Sequence, residues 1–366
     1  MASEARSGGS RRLALIGPAA AALVRLRGGF IKDCLARGVR VLALVPELTA
    51  GGAESLRTLG AEAKSFAPEL AGFTLFPERR VIAALSDQLR QWHPQGVLAF
   101  GAPLPIAVKA ARRAHVPRVV VIVNELEDGA LPSHLRAALK SADAVIAHNR
   151  DDARRLMDAL APSSDKVHRV AGAGADLSVC QGRAMPASGD PVIFLAASRL
   201  DRVKGVLDYL EAARLALQNG AAAKFILAGP DGSSGGAIKA ETIARYAADV
   251  HYIGDRGDLA AAIGDAHVFV TPSHREGMPH AALQAMAAGR PIIAADSAGC
   301  RETVDEMVNG TLVAPGSPQA LADGFQRLIR NRALLPAMGR ASRAKAERGF
   351  SADAVHAALR DALGLG

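Results

Sequence analysis

Short apolar segments alternate with longer amphipathic segments along almost the whole chain. The apolar segments are rich in β-branched residues and carry few polar positions, which is typical of strands buried on both faces of a parallel sheet. The amphipathic segments have the helical period expected of the crossovers that join parallel strands. The predicted strands read RLALIG, VRVLALVP, GVLAFG, RVVVIV and AVIAHN in the first half, and PVIFLAAS, KFILAG, VHYIG, HVFVTPS, PIIAAD and GTLVAP in the second.

The alternation of strands and helices predicts an α/β fold with two doubly wound, Rossmann-like domains. The predicted helices include Gly28–Ala36, Ile82–Trp92 and Pro105–Ala114. The domain boundary lies in CQGRAMPASGDP, which mixes glycine, proline and serine without a period and is typical of a linker. We therefore predict a disordered tail at 1–10, an N-terminal domain at 11–180, a linker at 181–190, a C-terminal domain at 191–348, and a final helix at 349–366 that can pack back on the N-terminal domain.

The charge balance indicates the kind of partner to expect. The 366 residues carry a formal net charge of +8, which favours anionic partners such as nucleotides, phosphates or anionic lipid. Aromatic residues make up only 4% of the chain, and this disfavours a stacking platform for single-stranded nucleic acid. We therefore expect no nucleic-acid partner.

Cysteine usage and hydropathy indicate the compartment. Cys34, Cys180 and Cys300 lie far apart, without the Cys-x-x-Cys spacing of a zinc site or a disulfide framework, which favours a reducing cytosol. The longest apolar run, Leu13–Val24, is shorter than the ~20 residues that a membrane-spanning helix needs. We expect a cytoplasmic protein whose contact with a membrane is at most peripheral.

One candidate site follows the predicted strand HVFVTPS, in the stretch SHREGMPHAALQAMAAGRP. A helix is expected to begin at Pro279, where the missing N–H of proline is tolerated. The free N–H groups at this helix start suit a diphosphate, and Gly277, Met278 and Pro279 are the donor-binding candidates there. A carboxylate would repel that anion, so we expect Glu276 to accept hydrogen bonds from sugar hydroxyls. Gln284 can both donate and accept hydrogen bonds, and it is expected to hold a ribose or base hydroxyl.

A second candidate site follows the strand PVIFLAAS, where SRLDRVKG forms a tight turn before a helix. Arg199 provides a planar fork of donors and Lys204 a compact charge, and together they suit a diphosphate. The same cations would stabilise the negative charge that develops on a departing phosphate.

These segments resemble the retaining glycosyltransferases of family 4. The resemblance also covers FILAGPDG, VHYIGDRGDLAAAIGD and AMAAGRPIIAADSAGCRETV in the second half, and AVIAHNRDDARRLM and VHRVAGAGADL in the first. It implies the GT-B fold, in which two Rossmann-like domains face each other across a cleft. It also implies that Arg199 and Lys204 bind the donor diphosphate and that Glu276, the first acid of the family's E-x7-E motif, contacts the donor sugar. Gln284 stands where the second acid usually binds the ribose, and this departure bears on nucleotide preference and stereochemistry.

By the same resemblance, the acceptor side lies in the N-terminal domain. Gly17 occupies the place of the family's glycine-rich loop beside the acceptor and phosphates, and it is a donor-binding candidate. Asn124, Glu125 and Asp128 follow the strand RVVVIV and are acceptor-side candidates. Glu125 would serve as the general base if the reaction inverts.

The first helical segment adds a lipid-linked acceptor to this expectation. Arg25 and Arg27 belong to a group of arginines near the start of the chain, and RGGFIKDCLARG resembles the start of members that extend lipid-diphosphate-linked oligosaccharides. The resemblance implies a metal-independent hexosyltransferase without a cofactor, acting with retention at the cytoplasmic face of the inner membrane. It would move glucose, an N-acetylhexosamine or glucuronic acid from a UDP-sugar to a polyprenyl-diphosphate-linked saccharide in bacterial exopolysaccharide, capsule or O-antigen synthesis.

Two other functions fit the same architecture. A UDP-sugar 2-epimerase would need no acceptor, and Gln284 would permit a non-catalytic subunit that binds a sugar nucleotide. A nicotinamide dehydrogenase is disfavoured because GPAAAA follows the first strand where G-x-G-x-x-G is required, and the G-x-x-x-x-G-K-[ST] motif of a P-loop NTPase does not occur.

Overall fold

The computed structural model describes residues 11–66, 77–127, 129–178, 184–186, 191–232, 236–255 and 259–366. Within these residues the chain forms two compact units. Unit 1 comprises the residues up to Ala147, then Ala153–Val170 and His356–Gly366, and unit 2 comprises His148–Asp152 and Ala171–Val355. The tail predicted at 1–10 and most of the linker predicted at 181–190 lie outside the described residues.

Unit 1 contains a parallel sheet with the strand order β3–β2–β1–β4–β5–β6–β7. The order reverses between β1 and β4, and ligands of doubly wound sheets bind beyond the carboxyl ends of the strands at such a reversal. The strands are β1 (Arg12–Ile16), β2 (Arg40–Val45), β3 (Glu62–Ser65), β4 (Gly96–Phe100), β5 (Arg118–Val123), β6 (Ala144–Ala147) and β7 (Val167–Arg169).

Unit 2 contains a second parallel sheet, with the order β10–β9–β8–β11–β12–β13 and the reversal between β8 and β11. Its strands are β8 (Val192–Ala197), β9 (Ala223–Ala228), β10 (Val250–Tyr252), β11 (Val268–Thr271), β12 (Ile292–Ala295) and β13 (Gly310–Val313). The α/β class with two parallel sheets is therefore confirmed.

Helices connect the strands in both units. In chain order they are α1 (Ala20–Ala36), α2 (Ala50–Thr58), α3 (Pro77–Trp92), α4 (Leu104–Arg113), α5 (Ser133–Ser141), α6 (Arg150–Leu160), α7 (Val206–Gln218), α8 (Ala240–Ala244), α9 (Leu259–Asp265), α10 (His280–Ala287), α11 (Ala298–Arg301), α12 (Pro318–Arg330), α13 (Leu335–Gly349) and α14 (Ala352–Leu363). Short 3-10 turns lie at Ser164–Lys166, Arg202–Lys204 and Arg332–Leu334. In the part of the chain that the structure describes, no helix is both long and apolar enough to cross a membrane.

Two strands of unit 1, β3 and β7, were not predicted. Both lie at the two ends of the strand order, where the described residues provide a neighbour on one side only. Strand β3 has the sequence EAKS and is largely exposed, and β7 has the sequence VHR. Edge strands can be short and charged, so they lack the continuous apolar run by which the central strands were recognised.

The core of unit 2 fixes the helix that starts beside the candidate site. The rings of Phe194 on β8, Phe225 on β9 and Phe325 on α12 pack with centroids 4.7–5.3 Å apart. The Tyr209 hydroxyl of α7 lies 2.9 Å from the Phe194 carbonyl oxygen and 3.0 Å from that of Ile226. Since burial raises the pKa of Tyr209, this phenol stays a hydrogen-bond donor and anchors α7 to the sheet.

Candidate functional site

The two predicted motifs of unit 2 come together at one edge of its sheet. Strands β8 and β11 are parallel neighbours, with Phe194 aligned to Val268, so their carboxyl ends lie side by side. The turn Arg202–Lys204 follows β8 and leads into α7, and the loop with Glu276 follows β11 and leads into α10. Helix α10 begins at His280 with Pro279 as its N-cap, one residue later than the sequence predicts.

Lys204 and Glu276 form an ion pair at the centre of this edge. The Lys204 Nζ atom lies 2.7 Å from Glu276 Oε2, although the residues are 72 positions apart in the chain. The two side chains are only 11% and 22% exposed. Opposite charges interact more strongly where water is largely excluded, so each side chain holds the other in a defined position.

The two turns approach each other closely because of a glycine. Gly205 has φ +68°, and a Cβ atom there would lie 2.0 Å from the Pro272 carbonyl oxygen. Any other residue at this position would push the turns apart. The His274 N–H also donates to the Val203 carbonyl oxygen at 2.9 Å, and the His274 ring contacts the Asp208 carboxylate on α7.

Arg199, the second predicted cation, also has a carboxylate partner. Its guanidinium nitrogen lies 3.3 Å from Asp201 Oδ2. The Asp201 side chain is 1% exposed, whereas that of Arg199 is 42% exposed. The guanidinium therefore pairs with a buried acid but remains open to solvent, where a ligand can reach it.

The backbone after Glu276 is fixed by the turn around α11. The Gly299 N–H donates to the Glu276 carbonyl oxygen at 3.0 Å, and the Ser297 hydroxyl donates to the Ser273 carbonyl oxygen at 2.8 Å. A Cβ atom on Gly299 would lie 2.3 Å from the Gly277 carbonyl oxygen, so this approach requires glycine.

Gln284 lies one turn into α10, beside His280. The Gln284 side-chain nitrogen is 3.4 Å from His280 Nε2, and both side chains are half-buried. An amide nitrogen directed at an imidazole leaves the amide oxygen available as an acceptor. The structure thus gives Gln284 a partner within its own helix.

Cys300 on α11 packs behind Glu276. Its sulfur lies 3.6 Å from the Thr271 hydroxyl, and the side chain is fully buried. Burial, together with the nearby Glu276 carboxylate, raises the pKa of Cys300 to about 11. The thiol is therefore neutral at physiological pH and serves as packing.

The donor-binding candidate Gly17 and the acceptor-side candidates of unit 1 follow two of its strands. Gly17 follows β1 and is buried, and its position is closely packed by Leu23 and by Phe100. Asn124 and Glu125 follow β5 and are both half-buried. The Asn124 side-chain oxygen is buried, and no described residue donates a hydrogen bond to it.

Asp128, the remaining candidate of this group, lies outside the described residues. The two arginines of α1 differ from each other. Arg25 is exposed, whereas Arg27 is 2% exposed and its guanidinium lies 5.5 Å from the centroid of the Phe100 ring. Burial lowers the pKa of Arg27 to about 10. The structure therefore does not place Arg27 on an exposed basic face.

Sequence reasoning missed Asp201, Asp208 and His274 as members of the site. Asp201 stands within SRLDRVKG between the two cations, and this position was a signal that the residue contacts one of them. The contact between His274 and Asp208 had no such signal because it depends on how the two turns meet. Among the described residues there is no group of three or more His, Cys, Asp or Glu side chains that could hold a metal ion.

Comparison with known proteins places these motifs in a family. Residues 183–345 match the family model described as glycosyl transferases group 1. The D-inositol 3-phosphate glycosyltransferase of Frankia alni is 30% identical over 278 residues, which cover 65% of this chain and 67% of that protein. The chain belongs to the group 1 glycosyl transferases.

Other relatives in this family match shorter stretches. The N,N'-diacetylbacillosaminyl-diphospho-undecaprenol alpha-1,3-N-acetylgalactosaminyltransferase of Campylobacter jejuni is 28% identical over 39% of this chain, and the match spans 37% of that protein. The amylovoran biosynthesis glycosyltransferase AmsK of Erwinia amylovora is 28% identical over 47% of this chain and 44% of that protein. The chain therefore spans less than half the length of these two relatives.

A solved structure is similar to this chain over nearly its whole length. Anabaena HepE, in a complex with UDP and glucose, superimposes with a TM-score of 0.80 over 97% of this chain and 99% of that chain, at 17% sequence identity. At this identity the likeness concerns the fold, which confirms the GT-B architecture implied by the sequence.

Proposed function

We propose that this group 1 glycosyl transferase moves a sugar from a UDP-sugar to a polyprenyl-diphosphate-linked saccharide in bacterial polysaccharide assembly. The observation that carries the proposal is the ion pair between Lys204 and Glu276 at the carboxyl edge of the unit 2 sheet. It joins a group suited to a diphosphate with a group suited to sugar hydroxyls, as a nucleotide-sugar site requires.

Donor binding would exchange the partners of this ion pair. The diphosphate would be held by Lys204 and by the exposed fork of Arg199, whose carboxylate partner Asp201 stays buried. Glu276 would then be released from Lys204 and would accept hydrogen bonds from the hydroxyls of the sugar. Binding of the diphosphate and binding of the sugar are coupled because the same residue pair serves both.

The chemistry follows from the charges of the site. The bond between the anomeric carbon and the β-phosphate oxygen breaks, and the bond from the anomeric carbon to the acceptor oxygen forms on the same face. The acceptor's proton passes to the departing phosphate oxygen. Lys204 and Arg199 stabilise the negative charge that develops on this phosphate, and such preorganised charges are a major source of catalysis. In this proposal the protein's cations fulfil that task without a metal ion.

The nucleotide and the acceptor are supported by the relatives. HepE was solved with UDP and glucose, and the name of the Campylobacter relative includes a diphospho-undecaprenol acceptor. AmsK is named for the biosynthesis of amylovoran. The net charge of +8 and the exposed Arg25 fit a peripheral position on an anionic membrane that carries a lipid-linked substrate.

A ligand screen tests the donor. Purified protein is heated with UDP, GDP, ADP or TDP, and then with UDP-glucose, UDP-N-acetylhexosamines and UDP-glucuronic acid. A ligand that binds the folded state raises the melting temperature, and we expect UDP to do so most strongly among the nucleotides, with a further rise for one UDP-sugar. The absence of a shift with every nucleotide would overturn the donor assignment.

A transfer assay tests the reaction. The selected UDP-sugar is incubated with a polyprenyl-diphosphate-linked saccharide, with and without EDTA, and the product is analysed by NMR. We expect a glycoside with the anomeric configuration of the donor, formed at the same rate in EDTA. Conversion of the UDP-sugar to its 2-epimer without an acceptor would assign an epimerase instead, and binding without turnover would assign a non-catalytic subunit.

A further inference from the structure

Asn149 contacts the candidate site from a distant part of the chain. It precedes α6 and belongs to the segment His148–Asp152 of unit 2. Its side chain is fully buried, and its Nδ2 atom donates to the Gly277 carbonyl oxygen at 2.9 Å across 128 positions of sequence. Gly277 directly follows Glu276 in the loop that carries the ion pair.

The neighbouring bonds fix which end of the Asn149 amide faces Gly277. Its oxygen accepts from the Asp152 N–H at 2.8 Å, which makes Asn149 the N-cap of α6. Its nitrogen donates to the Asp152 carboxylate at 2.8 Å as well as to Gly277. A rotated amide would place its oxygen against a carboxylate and a carbonyl, so the observed orientation is the only one that satisfies all three partners.

The bond from Asn149 determines the direction of the peptide between Gly277 and Met278. In a trans peptide the C=O and N–H groups point in opposite directions, so the Met278 N–H points away from Asn149. The Gly299 N–H fixes the preceding peptide in the same way through the Glu276 carbonyl oxygen, so the Gly277 N–H points away from Gly299. No described residue accepts a hydrogen bond from either of these two N–H groups.

We propose that Asn149 is a positioning residue for donor binding, an inference that rests on the proposed function. By holding the Gly277 carbonyl oxygen, it presents the Gly277 and Met278 N–H groups to the donor diphosphate and fixes the loop that carries Glu276. Successive backbone N–H groups that point outward form an anion-binding concavity. Asn149 itself does not touch the donor.

Two substitutions separate this role from helix capping. Serine and aspartate are both good N-caps, so Asn149→Ser and Asn149→Asp keep the first turn of α6. Neither can donate to the Gly277 carbonyl oxygen, because serine is too short to reach it and aspartate places an oxygen there. If Asn149 serves only as a cap, the Asn149→Ser variant should bind UDP as the wild type does.

The experiment measures melting temperature, UDP affinity and kcat for both variants, with Asn331→Ser as the matched control. Asn331 caps the end of α12, where its side chain donates to the Arg327 carbonyl oxygen. We expect Asn149→Ser to melt within a few degrees of the wild type and to lose about tenfold in UDP affinity, the size of effect that one hydrogen bond can have. Asn149→Asp should lose more, and kcat should fall in both variants.

The outcomes distinguish this inference from the proposed function. Wild-type UDP affinity and kcat in a folded Asn149→Ser variant would overturn the positioning role while leaving the proposed function intact. A loss of affinity that only follows a fall in melting temperature, also seen in the Asn331→Ser control, would overturn it as well. If the wild-type protein binds no nucleotide, the proposed function fails and this inference fails with it.

Discussion

The carboxyl edges of the two sheets differ in how far their candidate residues converge. In unit 2, Lys204 and Glu276 are in direct contact, and Arg199 is held by a buried acid. In unit 1, Asn124 and Glu125 follow one strand and Gly17 follows another, and Arg27 is buried against Phe100 instead of facing solvent. Both edges have the same doubly wound topology, so the fold alone does not account for the difference.

The difference coincides with a difference in how tightly the backbone is constrained in the two units. Charged residues in unit 2 stand in tight turns whose glycines allow only one backbone path, as Gly205 does beside Pro272. The candidates of unit 1 stand in loops that follow the strands, and loops vary more between relatives than the elements they connect. The family model accordingly matches residues 183–345. We therefore expect substitutions in unit 2 to have the larger effects.

The largest effect is expected for the ion pair. Glu276→Gln keeps the size of the side chain but removes the charge that pairs with Lys204, and Lys204→Ala removes the cation that stabilises the leaving phosphate. Each change should lower transfer about 10²–10³-fold, measured as kcat/KM for the UDP-sugar. Glu347→Gln, which changes an exposed acid of α13, is the control and should leave transfer unchanged. Full activity in both site variants would remove unit 2 as the location of the chemistry.

A smaller loss is expected for Arg199→Ala. The guanidinium is 42% exposed and acts beside Lys204, so part of the charge stabilisation remains when it is removed. We expect transfer to fall about 10–100-fold, with a weaker affinity for UDP measured by calorimetry. Arg332→Ala, at an exposed arginine after α12, provides the comparison. An equal loss in both variants would indicate a general effect of net charge instead of a site.

Gln284→Glu restores the second acid of the family motif. A carboxylate forms stronger hydrogen bonds to ribose hydroxyls than an amide does, and we expect UDP affinity to rise about threefold to fivefold. His280, 3.4 Å from the amide nitrogen, would become the partner of the new carboxylate. Unchanged affinity and unchanged kinetics would return Gln284 to the role of a helix residue outside the site.

Glu125→Gln tests the unit 1 side of the comparison directly. If the reaction retains configuration, no general base is needed there, and we expect transfer to change by less than about threefold. Glu127→Gln, two residues further along the same loop, is the control. A loss comparable with that of Glu276→Gln, together with an inverted product by NMR, would make Glu125 the base and would break the contrast between the two units.

Among the described residues, two buried cysteines, one in each unit, give the smallest effect. Burial raises the pKa of Cys34 to about 12 and that of Cys300 to about 11, above the ordinary value of 9.0. The folded state binds these protons more tightly, so their contribution to stability is complete below pH 9. It declines as the pH rises through about 9–12 for Cys34 and about 9–11 for Cys300. The melting temperatures of wild type and Cys300→Ala should therefore converge over that range. A difference in melting temperature between the two proteins that stays constant with pH would contradict the raised pKa of Cys300.

The melting temperature of Cys34→Ala, measured over the same pH range, extends the comparison to unit 1. Cys34→Ala should change the alkaline stability in the same direction as Cys300→Ala, because both thiols are buried. Of these two thiols, Cys300 is the one whose pKa the Glu276 carboxylate raises. We therefore expect Cys300→Ala to lower UDP affinity slightly at pH 7.5, and Cys34→Ala to leave it at the wild-type value.

Sequence alone determined the central strands, the α/β class and the charged residues of the unit 2 turns. These features depend on local patterns: an apolar run of strand length is buried whatever its neighbours, and a glycine between a turn and a helix indicates a tight connection. Edge strands β3 and β7 were not predicted, because the side chains of β3 are largely exposed and β7 has only three residues. The burial of Arg27 was not predicted, because nothing in its own helix shows that Phe100 will cover it.

The tertiary structure decided which residues meet. The turns after β8 and β11 are neighbours because the sheet order reverses there, and only this crossover brings Lys204 to Glu276. The contact from Asn149 to Gly277 spans 128 positions, and in the sequence Asn149 indicates no more than the start of a helix. Pairing across such separations depends on strand order and loop closure, which are properties of the folded chain as a whole.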